Sequence, residues 1–134
     1  MGAGSVKGLV VQIGGDTSKL EQSLKGANTS IKNLSKELKG INSLLKFDSN
    51  NITLTTQKQK VLKEQISETE KKLQALKQAQ IEADNAMANG TQIDEENYRA
   101  LEREIVATEE KLRDLKTEAS NWTNVRKNTR KLWK

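Results

Sequence analysis

Residues 62–76, LKEQISETEKKLQAL, and residues 101–115, LEREIVATEEKLRDL, decide how this chain folds. Superposed at an offset of 39 residues, they share Leu, Ile, Thr-Glu, Lys-Leu and Leu at matching positions, and Lys follows both (Lys77, Lys116). In each copy the apolar residues recur at steps alternating between four and three: Leu62, Ile66, Leu73, Leu76 and Leu101, Ile105, Leu112, Leu115, with Thr69 and Thr108 in the middle layer. That period draws one apolar stripe along an otherwise charged helix. Polar members of such a stripe mark a loose or register-setting layer more often than a ligand site. A chain built around this pair is built to lay helices side by side.

Working outward, the second copy extends backwards to Tyr98 and forwards through Ala119 to Trp122 in the same phase. Asp94 is the expected cap, with Ile93 and Tyr98 placed as a hydrophobic staple. The first copy extends through Gln80, Ala83 and Met87, and backwards through Gln59 and Thr55 to Ile52. Gly90 suits the left-handed position that ends a helix. Upstream, Leu20, Leu24, Ala27, Ile31, Leu34, Leu38, Ile41 and Leu45 form a third unbroken stripe, with Ser18 and Glu21 in capping-box spacing. Phe47-Asp48-Ser49-Asn50-Asn51 breaks it, because Asp, Ser and Asn compete with the helical backbone for hydrogen bonds.

The expected class is therefore all-α: three heptad-patterned helices, about 18–46, 52–88 and 94–125, forming helical hairpins or a coiled coil. The stripes are narrow, which favours either a thin three-helix structure that buries more surface by oligomerising or a more extended arrangement. Residues 1–17 form an N-terminal arm, and residues 126–134 a basic tail. Within the arm, Leu9, Val11 and Ile13 alternate with Val10 and Gln12 in the manner of a short β-strand over residues 6–13, before a Gly14-Gly15-Asp16 turn. One strand cannot satisfy its own backbone groups, so it needs a partner from a second copy, another protein or sequence beyond this chain, unless it is a frayed arm.

The chain has 134 residues, 34% hydrophobic and 31% charged, with 3% aromatic and no proline, cysteine or histidine. This is lean material for a thick core, while nothing forbids long helices. Disulfides, thiolate metal sites and Cys or His catalysis are excluded. No apolar run approaches the ~20 residues of a membrane span, so no membrane contact is expected. Glu64, Glu68, Glu70, Glu102, Glu109 and Glu110 lie off the stripes among Lys and Arg and read as solvated faces, not as an acid–base pair. Asp48-Ser49-Asn50-Asn51 resembles the start of a calcium loop but lacks the downstream Gly and Glu. The residues point to no enzyme, cofactor or metal.

Net charge is +5, unevenly spread: residues 91–119 carry nine acids against five bases, and residues 120–134 five bases against none. The acidic third helix and basic tail could meet their opposites in neighbouring copies or partners. Arg126, Lys127, Arg130 and Lys131, with Trp122 and Trp133, form the one stretch suited to nucleic acid or another anionic surface. A helix simply continuing through it is the plainer reading.

Leu44-Leu45-Lys46-Phe47-Asp48 followed by Asn51 resembles the LLKxDPxN motif near the N-terminus of tape measure proteins from long-tailed phages and prophages of Gram-positive bacteria. The likeness continues through Gln57-Lys58-Gln59-Lys60-Val61-Leu62, residues 69–76, Gly90 and Tyr98-Arg99-Ala100-Leu101 with Glu104-Ile105, and reaches back to Ile13-Gly14-Gly15-Asp16. Ser49 stands where the family usually has Pro. The heptads carry no specificity of their own. The resemblance implies a virion structural role: longer chains, in several copies inside the tail tube, whose length sets tail length and which leave during genome ejection. It implies a homo-oligomer, tube, tip and assembly-chaperone partners, and residence in the virion tail after assembly in the host cytoplasm. A chain this short looks like the N-terminal fragment of such a ruler. If folded into hairpins, it would be an end module that docks or initiates assembly.

Overall fold

The computed structural model describes residues 8, 9, 12, 13 and 18–132, apart from the side chains of 18 and 122–132. Three helices follow in order: α1 (Ser18–Leu45), α2 (Ile52–Ala88) and α3 (Glu95–Leu132). They pack as a helical bundle, and the described residues contain no strand. α2 lies in the middle and packs along both of the others. Lys58 Nζ lies 3.6 Å from Glu118 Oε1 and Lys72 Nζ 2.8 Å from Glu104 Oε1. Fourteen residues forward on α2 thus match fourteen backward on α3, which fixes an antiparallel register. In that register the two copies of the repeat face each other, Thr69 level with Thr108 within about a residue.

Each helix end has a local cause. Asn51 adopts extended backbone (φ −69°, ψ 114°), and its Oδ1 accepts from Leu54 N at 3.0 Å, satisfying an orphan amide of α2. Asp94 does the same for α3, its Oδ1 accepting from Glu96 N at 3.1 Å. At the end of α2, Gly90 takes φ +92°, and Thr91 N donates back to Ala86 O at 2.9 Å while Gly90 N donates to Met87 O at 3.1 Å. That pair of bonds is the Schellman arrangement, which needs the left-handed residue that only glycine adopts without strain.

Two hydrophobic clusters hold the bundle. One, at the end carrying the α2–α3 turn, is built on Leu9, Leu76, Ala79, Ala83, Leu101 and Ile105. The other, at the end carrying the α1–α2 turn, is built on Leu38, Ile41, Leu45, Val61, Leu62 and Leu115. Leu9, Leu62 and Leu101 are wholly buried, each contributing about 1.5–3 kcal/mol relative to exposure. Between the clusters lies a buried polar band of Gln65, Thr69 and Thr108. Both threonines donate Oγ1 to the carbonyl four residues back, Gln65 O and Glu104 O, each at 2.7 Å.

The N-terminal arm corrects the strand expectation. Gly8, Leu9, Gln12 and Ile13 have helical backbone. Helical backbone does not pair as a strand does, and residues 6, 7, 10 and 11 of the expected strand lie outside the described residues. Leu9 enters the first cluster and Ile13 packs against it; their spacing of four suits one helical face as well as it suits alternation. α3 runs past residue 125 to Leu132, so the helix continues into the basic tail, the plainer of the two readings of that stretch.

Candidate functional site

The stripe residues read from the sequence come together inside the bundle. Leu38, Ile41, Leu45, Leu62, Leu76, Leu101, Ile105 and Leu115 are buried. Leu20, Leu24, Ile31, Leu34, Ile66, Leu73, Tyr98 and Leu112 are half-buried along the same seams. Trp122, Arg126, Lys127, Arg130 and Lys131 lie on the helical backbone of α3, but their side chains are outside the described residues. Two outer members of the α2 stripe fall away from the core: Met87 is exposed, and Ile52 is 73% exposed.

As the middle helix, α2 carries a second seam, one residue before the first, through Lys58, Val61, Gln65, Lys72 and Ala79. Val61, Gln65 and Ala79 are buried on it, while Lys58 and Lys72 lay their stems across it and pair outward with Glu118 and Glu104. Ala100 on α3 is buried likewise. Sequence periodicity missed this second seam because the lysines and the glutamine interrupt it, leaving Val61 and Ala79 too far apart to draw a stripe. Gln65, 1% exposed, donates Nε2 to Ser35 Oγ at 2.7 Å, and its Oε1 has no partner among the described residues. That interior amide works against stability and favours one alignment of α1 on α2, the attested use of a buried polar group in a helical seam.

The two ends of the bundle differ. At the α2–α3 end, Gln12 Oε1 accepts from both Asp94 N and Asn97 Nδ2 at 3.1 Å, so the N-terminal arm caps α3 from 82 residues away. Tyr98 Oη donates to Asp84 Oδ1 at 2.7 Å and accepts from Gln80 Nε2 at 3.4 Å. The Asp84 carboxylate holds the Tyr98 phenol above its ordinary range, and burial adds to the effect. At the α1–α2 end, the turn is closed by Asn51 Nδ2 donating to Asp48 Oδ2 at 3.0 Å and by Asp48 N donating to Leu44 O at 3.1 Å. Phe47 there is 90% exposed and Leu44 57%, with Ile52 beside them. Three large apolar side chains at one tip form the most apolar exposed feature described.

Among the six carboxylates considered above, Glu68 pairs with Lys71 at 3.3 Å and Glu70 with Lys116 at 3.6 Å. Glu64 and Glu68 also border an open groove of about 350 Å³ between α1 and α2, with Ser30, Asn33, Leu34 and Ser67. Among the described residues no group of three His, Cys, Asp or Glu is placed to hold a metal, and no helix is long and apolar enough to cross a membrane. Comparison with protein families, with curated proteins and with solved structures finds no match.

Proposed function

We propose that this chain is a structural, non-enzymatic module of a phage or prophage tail tape measure protein. It acts through coiled-coil packing with copies of itself and with other tail proteins, in tail assembly and the setting of tail length, within the virion tail. The observation that carries this reading is the division of labour in the LLKFD turn. Leu45 belongs to the core, and Asp48 and Asn51 build the turn and cap α2. Leu44 and Phe47 have no such internal role and face solvent. The motif thus contains two apolar residues that the isolated fold does not use, as a docking motif would. Asn51 and Asp48 close the turn with Ser49 in place of the family's usual proline.

In-frame deletion of residues 18–132 from the source phage, followed by electron microscopy of its particles, tests the reading. Tails that are missing or of altered length are expected. Tails normal in number and length would overturn it.

A second reading, a nucleic-acid-associated adaptor, draws on the five cations of residues 120–134. It requires binding to DNA or RNA that weakens steeply with added salt.

A further inference from the structure

We infer that the open α1–α2 end of this bundle docks the closed α2–α3 end of a second copy, so that bundles associate head to tail along their long axis. This deepens the assembly part of the proposed function but stands on separate observations. With Lys58 beside Glu118, the first residue of α2, Ile52, is level with about residue 124 of α3. α3 nevertheless runs to Leu132. About eight residues, or ~12 Å of helix, therefore stand beyond the turn with no other helix alongside among the described residues. At their foot are the exposed Leu44, Phe47 and Ile52.

Charge selects the occupant. Residues 120–134 carry five cations and no acid, and Lys46 lies in the adjoining turn. At the opposite end, residues 78–98 carry five acids (Glu82, Asp84, Asp94, Glu95, Glu96) against the bordering cations Arg99, 3.9 Å from Glu95, and Lys19 at the start of α1. Met87 is exposed among them and offers an apolar contact. Open end against open end sets cation on cation, and closed end against closed end sets acid on acid. Head to tail brings opposite charges within a Debye length and gives each overhang a surface to lie on. Such a contact is heterologous and propagates instead of closing on itself.

Sedimentation velocity of the full chain over a range of concentrations, at low and at high ionic strength, tests the inference with two charge-reversed variants. The expected wild-type result is a concentration-dependent series of larger species that added salt disperses. Glu95→Lys/Glu96→Lys makes both ends basic, and Arg126→Glu/Arg130→Glu turns the overhang acidic. Each variant alone should associate at least about tenfold more weakly, and an equimolar mixture should recover association. Circular dichroism of each variant reports folding; should the first variant lose helix, the second alone decides. Absence of association, association indifferent to salt and to both reversals, or a mixture that recovers nothing would overturn head-to-tail docking. Salt-insensitive side-by-side oligomers would do so while leaving the tail-assembly reading intact. Binding of a DNA oligonucleotide that Arg126→Glu/Arg130→Glu abolishes, without self-association, would assign the overhang to nucleic acid instead.

Discussion

The two turns of this bundle solve the same problem, reversing a helix, with opposite surfaces. The α2–α3 turn is sealed. Gly90 completes the helix end, Ile93 and Tyr98 pack on the core, and the N-terminal arm crosses over with Leu9 buried and Gln12 bonded to Asp94 and Asn97. The α1–α2 turn is equally well bonded along its backbone, yet nothing described covers it. Stability therefore does not explain why one turn buries most of its apolar residues, Ile81 and Met87 excepted, while the other displays Leu44, Phe47 and Ile52. Under the proposed function, one end is committed to the fold and the other is held for a partner.

Substitutions can break that contrast. The largest expected effect is at the sealed end: Leu9→Ala should cost about 2–5 kcal/mol in chemical denaturation, as for a buried Leu whose site cannot collapse. A loss below about half a kcal/mol would show that the arm is not part of the folded core. Next, Gly90→Ala forces a Cβ into left-handed backbone and should cost roughly 1–2 kcal/mol, although open space surrounds the site. At the other turn, Asn51→Ala removes the α2 cap and should cost about 1 kcal/mol, so the backbone of both ends is predicted to matter comparably.

A smaller effect sharpens the electrostatics of the sealed end. Tyr98→Phe should cost about 1 kcal/mol near neutral pH by removing the bond to Asp84. Because the folded-state pKa of Tyr98 is raised, its contribution is complete below about pH 10, the unfolded value, and is lost as pH climbs through the folded value. The gap between wild type and Tyr98→Phe should therefore narrow above pH 10 in pH-dependent denaturation. A gap that widens there would contradict the assigned donor and acceptor. The smallest effect belongs to the open tip: Phe47→Ser should change stability by less than about 0.5 kcal/mol while weakening self-association. A large loss of stability would mean that Phe47 has a structural role after all.

The helices and their first seams were legible because apolar residues at steps of four and three have few other readings. What the sequence hid follows a common physical rule. The second seam of α2 places Val61 and Ala79 among Lys58, Gln65 and Lys72, which bury stems and an amide without looking apolar. A middle helix must bury two stripes, but only the greasier one announces itself. The arm was ambiguous in a different way: Leu9, Val11 and Ile13 satisfy a period of two, and Leu9 with Ile13 also satisfies a spacing of four. Long-range contacts with Leu76 and Leu101 decide between them, and no local window contains these. Of the candidate surface, the LLKFD turn could be placed from sequence. The solvent exposure of Phe47 and the overhang of α3 could not, since both depend on where α3 lies relative to α2.

An odd number of helices has a mechanical consequence. Because α1 sets out from the end that carries the α2–α3 turn and α3 finishes beyond the α1–α2 turn, the polypeptide passes through the bundle from one pole to the other. The chain enters and leaves the bundle at points about 55 Å apart along its axis, where a single continuous helix of the same 28, 37 and 38 residues would reach about 155 Å. Tension applied along the axis would pull the poles apart and peel helices from α2. Almost threefold extension is thus stored in line with the chain, held by two small cores with a polar waist between them.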